Sequence, residues 1–193
     1  MLIDLHCHTS PRSRCSSLTV EALVARARER GLDGVCLTEH DTAWPAEELA
    51  ALRQRTGFPV FAGVEYTTDV GHVLAFGADG WRGGTFRELS RWAASRGGLL
   101  FLAHPFRESR FPPLSIPPGL ASFEAVNGSD GLLAAGAARA LEARFALPPI
   151  GGSDAHSSAE VGRAATRFAR RITTQAELLA ELAAGRYQAV WLG

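Results

Sequence analysis

The six histidines of this 193-residue chain all lie beside acidic, small or strand-forming residues, at the ends of apolar runs. They occur in five segments: Asp4-Leu-His6-Cys-His8, Glu39-His40-Asp41, Gly71-His72, Ala103-His104-Pro105 and Ser153-Asp154-Ala-His156. Neutral imidazole together with carboxylate is the ligand mixture of zinc, manganese and iron sites, and histidine is also a common proton-transfer group. These segments therefore predict a metalloenzyme.

Two of the segments place paired side chains on one face of a strand. Because successive side chains of a strand alternate between faces, His6 and His8 share a face and can bind one ion. Cys7 then points to the other face, where it serves as a small apolar residue. Asp154 and His156 share a face in the same way. An isolated H-x-H pair also arises by chance, so the prediction depends on the five segments together.

Glu65 ends an apolar run, and the turn-forming residues 67–71 predict a hairpin that returns His72 beside it. Residues opposite each other in such a hairpin lie about 5 Å apart. The Glu65 carboxylate could therefore bridge two ions. The alternative is an exposed carboxylate at a strand end.

Short apolar runs alternate with helical patterns along the chain. The predicted strands cover residues 2–6, 35–38, 60–65, 72–76, 99–103, 123–126, 150–152 and 188–192. The predicted helices cover residues 19–30, 46–55, 86–95, 132–145 and 174–184, and the proline-rich segment 106–119 predicts a loop. This alternation indicates an α/β fold with a mainly parallel sheet or barrel. Most of the metal-binding candidates fall at or just past the C-terminal ends of the predicted strands, which form one rim in a βα barrel. They are His6, His8, His40, Glu65, His104, Asp154 and His156.

The composition fits a single domain over residues 1–193, since 46% of the residues are hydrophobic and 21% are charged. The basic residues, all arginine, balance the acidic ones and leave a net charge of zero, so binding to nucleic acid or a membrane is not expected. The three cysteines form no C-x-x-C pair, which argues against a disulfide framework. With no leader pattern and no apolar run of about 18 residues, we expect a cytoplasmic protein.

Several motifs together resemble the polymerase and histidinol phosphatase (PHP) domain family. They are D-L-H-C-H-T, G-L-D-G-V-C-L-T-E-H-D-T, G-V-E, G-H-V-L-A-F-G, A-H-P-F-R, E-A-V-N-G, G-G-S-D-A-H-S and G-R-A-A-T, and they span residues 1 to about 170. The resemblance implies a distorted seven-stranded (β/α)7 barrel with two or three divalent ions at the C-terminal rim of its strands. It also implies hydrolysis of phosphate esters.

The resemblance assigns ligands to three ions. The first site takes His6, His8, Glu65 and Asp154, the second takes Glu65, His72 and His104, and the third takes His40 and His156. Many relatives have a further Asp or His shortly after the H-x-H-T motif, and Cys15 is the nearest candidate here. A thiolate would favour zinc at that site. Alternatively, Cys15 is an ordinary loop residue and the third site is weak or empty.

The proposed chemistry is attack of a metal-bridged hydroxide on a small phosphomonoester. Arg107, Asp154 and His156 form the expected catalytic set, with Arg107 as the phosphate clamp because guanidinium matches phosphate oxygens. Asp4 is a candidate to orient a histidine ring, whereas Glu39 and Asp41 are not expected to be ligands. The short stretch between His72 and His104 leaves no room for an inserted subdomain, and the segment 106–119 is expected to roof a small pocket.

Three further functions are compatible with the same residues. One is a 5'-3' exonuclease or nucleotide phosphoesterase of the same family, and another is a catalytically inactive metal-binding module. The third is a metal-dependent amide or lactone hydrolase, since an activated water at a barrel rim does not require a phosphorus centre.

Overall fold

The computed structural model describes residues 1–107, 116–130, 140–144 and 147–193. The strands are β1 (Leu2–Cys7), β2 (Gly34–Leu37), β3 (Val60–Ala62), β4 (Val64–Thr68), β5 (Gly71–Phe76), β6 (Leu99–Leu102), β7 (Ser122–Asn127), β8 (Ile150–Gly152), β9 (Ala164–Phe168) and β10 (Tyr187–Trp191). The helices are α1 (Val20–Glu29), α2 (Ala46–Thr56), α3 (Phe86–Ala94), α4 (residues 140–144) and α5 (Gln175–Ala183).

Local signals in the sequence start and stop these helices. The Thr19 side chain accepts from the Ala22 N–H at the start of α1. Thr85 and Glu88 form a reciprocal capping box at the start of α3. Gly57 ends α2 with a left-handed backbone (φ 59°), a conformation that glycine adopts without strain.

The strands form two five-stranded sheets with both parallel and antiparallel pairs. The orders are β10-β9-β1-β2-β3 and β4-β5-β6-β7-β8. Two isolated bridges, Cys7 with Ala155 and His40 with Glu65, link the sheets. The mixed α/β class is therefore confirmed. The regular ladders among the described residues do not run around a closed barrel, so the (β/α)7 expectation is met only in part.

The chain changes sheets at Gly63, between β3 and β4, where a single strand over residues 60–65 was predicted. The Gly63 N–H still bonds to the Leu37 carbonyl of β2, whereas Glu65, two residues later, lies in β4. A Cβ at Gly63 would lie 2.9 Å from both Phe76 and Thr38, so the close approach of the sheets requires glycine here. This change of sheet turns the Glu65 carboxylate into the site described below.

Most other predicted elements are confirmed with ends shifted by one or two residues. Strand β9 was missed, although it pairs with both β1 and β10. Of the predicted helix 132–145, residues 131–139 and 145–146 lie outside the described part of the chain, as do residues 108–115 of the predicted proline-rich loop. None of the described helices has the length and apolar character needed to cross a bilayer.

Candidate metal centre

The side chains predicted to bind metal come together where the two sheets meet. His6 lies in β1 and His8 directly after it, His40 follows β2, and His104 follows β6. Asp154 and His156 follow β8. Glu65 departs from the strand-end prediction, since it is the second residue of β4, whereas His72 lies near the start of β5 as predicted. They still join the cluster because β4 and β5 are antiparallel, with Thr67 opposite His72.

Glu65 lies at the middle of this cluster, and its side chain is 1% exposed. Its Oε2 atom faces three imidazoles: His6 Nε2 at 3.4 Å, His8 Nε2 at 3.2 Å and His40 Nδ1 at 3.0 Å. Its Oε1 atom faces two others: His72 Nδ1 at 3.1 Å and His104 Nε2 at 2.9 Å. The predicted bridging position of Glu65 thus has a geometric counterpart, with one carboxylate oxygen directed at each set of rings.

Asp154 joins the cluster to the predicted phosphate clamp. Its Oδ1 lies 3.4 Å from His6 Nε2 and 3.2 Å from His8 Nε2. Its Oδ2 accepts from Arg107 Nη2 at 2.5 Å. The same guanidinium donates from Nη2 to Asn127 Oδ1 and from Nε to Asp130 Oδ1, both at 2.9 Å. Arg107 therefore holds Asp154 in place, while the two N–H groups of Nη1 take no part in these three bonds.

Three overlapping groups have ligand atoms that all lie within 4.8 Å of one another. They are His6, His8 and Asp154; His40, Glu65 and His72; and His8, His40 and His156. The buried Oε2 of Glu65 accepts no hydrogen bond, which would be costly in a site built only for hydrogen bonding. Buried imidazole and carboxylate atoms converging in this way fit divalent cations. The first group holds three of the four residues that the resemblance assigns to the first site, without Glu65. The second keeps Glu65 with His72 but has His40 in place of His104, and the third adds His8 to His40 and His156.

The charges of the cluster are strongly coupled. Burial opposes charging of His6, but the carboxylates of Asp154, Glu124 and Glu65 outweigh it and raise the pKa of His6 well above its ordinary value. Burial likewise opposes ionisation of Glu65, yet His6, His104 and His40 hold its pKa well below the usual range. The centre therefore stabilises its carboxylates with positive charge, which divalent cations would supply in place of protons on imidazole.

Glu124, in the E-A-V-N-G motif, was missed as a site residue. It is buried in β7, and its Oε1 lies 3.0 Å from His6 Nδ1. Its Oε2 accepts from the His104 backbone N–H at 2.9 Å and from Asn127 Nδ2 at 2.8 Å. A carboxylate on the far nitrogen of a histidine fixes the tautomer that leaves the other nitrogen for a metal. The available signal was a carboxylate within an apolar strand run.

Asp4 was the candidate to orient a histidine ring, but in the structure its carboxylate binds backbone N–H groups instead. Its Oδ1 accepts from the backbone N–H groups of Ser153 at 2.8 Å and His6 at 3.3 Å. It thus ties β1 to the loop that carries Asp154, while the ring of His6 is oriented by Glu124. Burial raises the pKa of Asp4 to about 6.

Glu39, which was not expected to be a ligand, instead supports the centre from the His8 side. Its buried carboxylate accepts from the Thr9 N–H at 2.8 Å, from Trp44 Nε1 at 2.9 Å, and from the hydroxyls of Thr9 and Ser13. Ser13 Oγ in turn lies 3.3 Å from His8 Nδ1. The loop after the H-x-H-T motif therefore contributes Ser13. Its spacing from His8 in the sequence did not predict this contact.

Cys15, from the same loop, is exposed and belongs to none of the three groups found among the described residues. Its role as a ligand stays a prediction. Cys7 is fully buried in an apolar cluster, as expected for the residue between the two histidines.

Three residues of the centre have a left-handed backbone that side chains rarely adopt. They are Asp41 (φ 52°), His104 (φ 25°) and Asp154 (φ 54°). Such conformations cost on the order of 1–3 kcal/mol each and persist where the surrounding structure enforces them. Here the His104 N–H is held by Glu124, and the Asp154 N–H by the His6 carbonyl.

Comparison with known proteins agrees with this geometry. The sequence model of the PHP domain matches residues 4–104, and that of the PHP-associated region matches residues 134–187. The chain belongs to the PHP domain family. No curated protein sequence matches it.

Solved structures share the fold of this PHP protein at low identity. A Bifidobacterium adolescentis protein provisionally described as a metal-dependent phosphoesterase has a TM-score of 0.66 at 18% identity, over 95% of this chain and 96% of its own. PsfC from Pseudomonas syringae PB-5123 has a TM-score of 0.72 at 19% identity, over 98% and 91%. An amidohydrolase from Chromobacterium violaceum, with bound sulfate and no metal, has a TM-score of 0.67 at 18% identity, over 99% and 98%.

Proposed function

We propose that the protein is a metal-dependent phosphoesterase that hydrolyses small phosphomonoesters. The observation that carries the proposal is the placement of Glu65, whose two oxygens face two different sets of imidazoles. A carboxylate so placed suits a pair of cations that share one bridging ligand, as in two-metal phosphatases.

The described residues offer ligands for each ion. His6, His8 and Asp154 would hold one ion, and Glu65 with His72 and His104 would hold a second. His40 and His156 remain for a third, with Cys15 as an open candidate. Imidazole and carboxylate ligands suit zinc, manganese or iron. When bound, such ions provide a water nucleophile near neutral pH and offset negative charge on the phosphoryl oxygens.

The exposure of the histidines defines how a substrate approaches. His6 and His8 are fully buried, whereas His40 and His72 are each 33% exposed and His156 is 30% exposed. The ester must therefore enter from the side of these last three residues. Arg107 lies beside Asp154 at 35% exposure, and the N–H groups of its Nη1 provide the donors proposed to hold the phosphate.

His156 is oriented for proton transfer. Its Nδ1 lies 2.9 Å from the Asp154 carbonyl oxygen, which can only accept, so Nδ1 donates and Nε2 keeps its lone pair. Burial, together with the charges of His8 and His40, lowers the pKa of His156. The imidazole is therefore neutral near neutral pH and can bind a cation or accept a proton at Nε2.

The small size of the proposed substrate follows from the chain between His72 and His104. Residues 73–103 are all described, and apart from short connections they form the rest of β5, helix α3 and strand β6. No inserted subdomain faces the site across this stretch to grip a polymer. The balanced charge of the chain likewise provides no excess of basic residues for a nucleic-acid groove.

The bridges between the two sheets support the proposed distorted barrel. The Cys7–Ala155 bridge lies at one junction and the His40–Glu65 bridge at the other, and both are parallel. Candidate metal ligands lie at each junction, so the proposed site lies where the two sheets meet.

The decisive assay compares phenyl phosphate, phenyl acetate and an anilide with the metal-loaded protein. We expect turnover of the phosphate ester, its loss in Glu65→Gln, and its retention in the control Glu47→Gln, which changes an exposed carboxylate on α2. Turnover of the acetate or anilide alone would instead support the amide or lactone hydrolase, a function favoured by the fold shared with the Chromobacterium amidohydrolase.

Two further outcomes would each point to a different function. Intact metal binding without turnover of any ester would indicate an inactive metal-binding module. Preference for a 5'-phosphorylated oligonucleotide, with activity falling steeply as salt rises, would indicate the exonuclease.

A further inference from the structure

An open cleft of about 640 Å³ adjoins the metal centre on its exposed side. We call it the leaving-group cleft, and it is lined by Asp41, Thr42, Ala43, Thr67, Gly80, Trp81, Arg82 and Gly83. This volume lies within the range of small-molecule sites, about 300–1,000 Å³. None of its lining residues is among the predicted metal ligands or the catalytic set.

The cleft continues the metal centre along β4. Glu65 and Thr67 lie two residues apart and point to the same face, a separation of about 7 Å along the strand. Thr67 is paired with His72, and Asp41 directly follows His40, so the cleft begins at the two partly exposed imidazoles. A phosphoryl group at Glu65 would direct its ester oxygen and the attached carbon skeleton into this cleft.

On one wall of the cleft, the Asp41 carboxylate is held in place as a hydrogen-bond acceptor. The Asp41 carboxylate accepts from the Thr67 N–H at 2.9 Å and from the Thr67 hydroxyl at 3.0 Å, one bond to each oxygen. The Asp41 N–H donates to the Glu65 carbonyl at 2.9 Å. Because a carboxylate oxygen can accept two hydrogen bonds, Asp41 retains acceptor positions for a ligand hydroxyl.

Another part of the lining is the loop of residues 80–83, which is anchored to the core. The Trp81 ring packs edge-on against Tyr66 at 5.1 Å, and the Trp81 N–H bonds to the Tyr66 hydroxyl. Gly80 and Gly83 have positive φ values of 81° and 95°. They leave the backbone on either side of Arg82 open to close approach. Arg82 is exposed and makes no hydrogen bond or ion pair with any residue that the structure describes.

The side chains of the cleft together select a class of ligand. Among the lining residues, Asp41 and Arg82 are the two charged ones, so the lining carries no net formal charge that would favour a second anionic group or an amine. The carboxylate, the guanidinium and the hydroxyl of Thr42 offer acceptors and donors, which hydroxyl groups satisfy in both directions. From this geometry we infer that the leaving-group cleft binds the hydroxyl groups of a sugar or polyol phosphate, an inference that rests on the proposed phosphoesterase function.

The test compares kcat/KM for glycerol phosphate and glucose phosphate with that for phenyl phosphate, whose leaving group has no further hydroxyl. Arg82→Gln should lower the ratio of polyol ester to phenyl ester about tenfold, and Thr42→Val by several fold, the sizes expected for a charged and a neutral hydrogen bond. The matched control is Arg87→Gln, an exposed arginine of α3 that does not line the cleft. It should leave the ratio unchanged.

Unchanged ratios in Arg82→Gln and Thr42→Val, with phenyl phosphate hydrolysed normally, would overturn the inference and leave the phosphoesterase intact. A preference for phosphoethanolamine or phosphoglycolate over the polyol esters would also overturn it, because a charge would then be recognised. If no phosphate ester is turned over, the phosphoesterase proposal fails by itself. Binding in the cleft is then tested by the amide NMR shifts of residues 80–83. Glycerol phosphate should change these shifts, whereas inorganic phosphate should not.

Discussion

Replacing Glu124 with glutamine should weaken metal binding, although Glu124 is not itself a predicted ligand. The carboxylate receives three donors: His6 Nδ1 at 3.0 Å, the His104 N–H at 2.9 Å and Asn127 Nδ2 at 2.8 Å. A glutamine amide of the same shape has one acceptor oxygen and one donor nitrogen. It cannot accept hydrogen bonds from all three groups in the way the carboxylate does.

The lowest-cost arrangement keeps the amide oxygen towards His104 and Asn127, where two donors meet one carboxylate oxygen. The amide NH₂ then faces His6 Nδ1, which must give up its proton to accept. The proton that the ring keeps is then on His6 Nε2, the atom that faces Glu65 and Asp154 and would bind the ion. Metal binding must reverse this tautomer, so we expect a 10- to 100-fold loss of affinity, or about 1.4–2.7 kcal/mol.

The affinity is measured by titrating metal-free protein with zinc in competition with a chelating indicator. The matched control is Glu181→Gln, a carboxylate that is 1% exposed and bonded to Arg186 at 2.9 and 2.7 Å in another part of the fold. It should lower stability without changing zinc affinity. Zinc affinity within about twofold of wild type in Glu124→Gln would refute the tautomer argument.

Three shorter predictions follow from the same centre. Glu65→Gln should lower metal content in elemental analysis and cost more affinity than the 10- to 100-fold expected for Glu124, because both carboxylate oxygens face imidazoles. Cys15→Ser should leave metal content unchanged, since Cys15 lies outside the three groups; loss of about one equivalent would establish it as a third-site ligand. Burial raises the pKa of Asp4 from 3.8 to about 6, so the folded protein loses stability as pH rises between these values. Asp4→Asn should therefore remove a contribution that lowers the unfolding free energy by about 2 kcal/mol between about pH 4 and about pH 8 in metal-free protein, measured with urea.

The sequence indicated which histidines and carboxylates cluster because most of these residues follow short apolar runs. The H-x-H spacing of His6 and His8 is local, and strand periodicity predicts their shared face. The same reasoning does not describe Asp154 and His156, because both follow the end of β8 and Asp154 has a left-handed backbone (φ 54°). Thr19 and Gly31 likewise bracket α1 through local capping chemistry.

What escaped prediction depends on partners distant in the chain. Glu124 meets His6 across 118 positions, and Glu39 meets Ser13 across 26, so neither contact leaves a local spacing. Strand β9 carries a polar Thr166 and Arg167 in a short segment, and it is held by pairing with strands at the two ends of the chain. The change of sheet at Gly63 depends on packing against Phe76, a contact that no local sequence pattern predicts.

The left-handed backbones of His104 and Asp154 affect which substitutions the fold tolerates at these two positions. Glycine at either position would release about 1–3 kcal/mol of backbone strain while deleting a proposed metal ligand. If the proposed activity were not under selection, a substitution that relieves this strain would therefore meet little resistance from the backbone at these two positions. Related sequences with glycine at both positions would be expected to keep the fold and to lack the proposed metal centre.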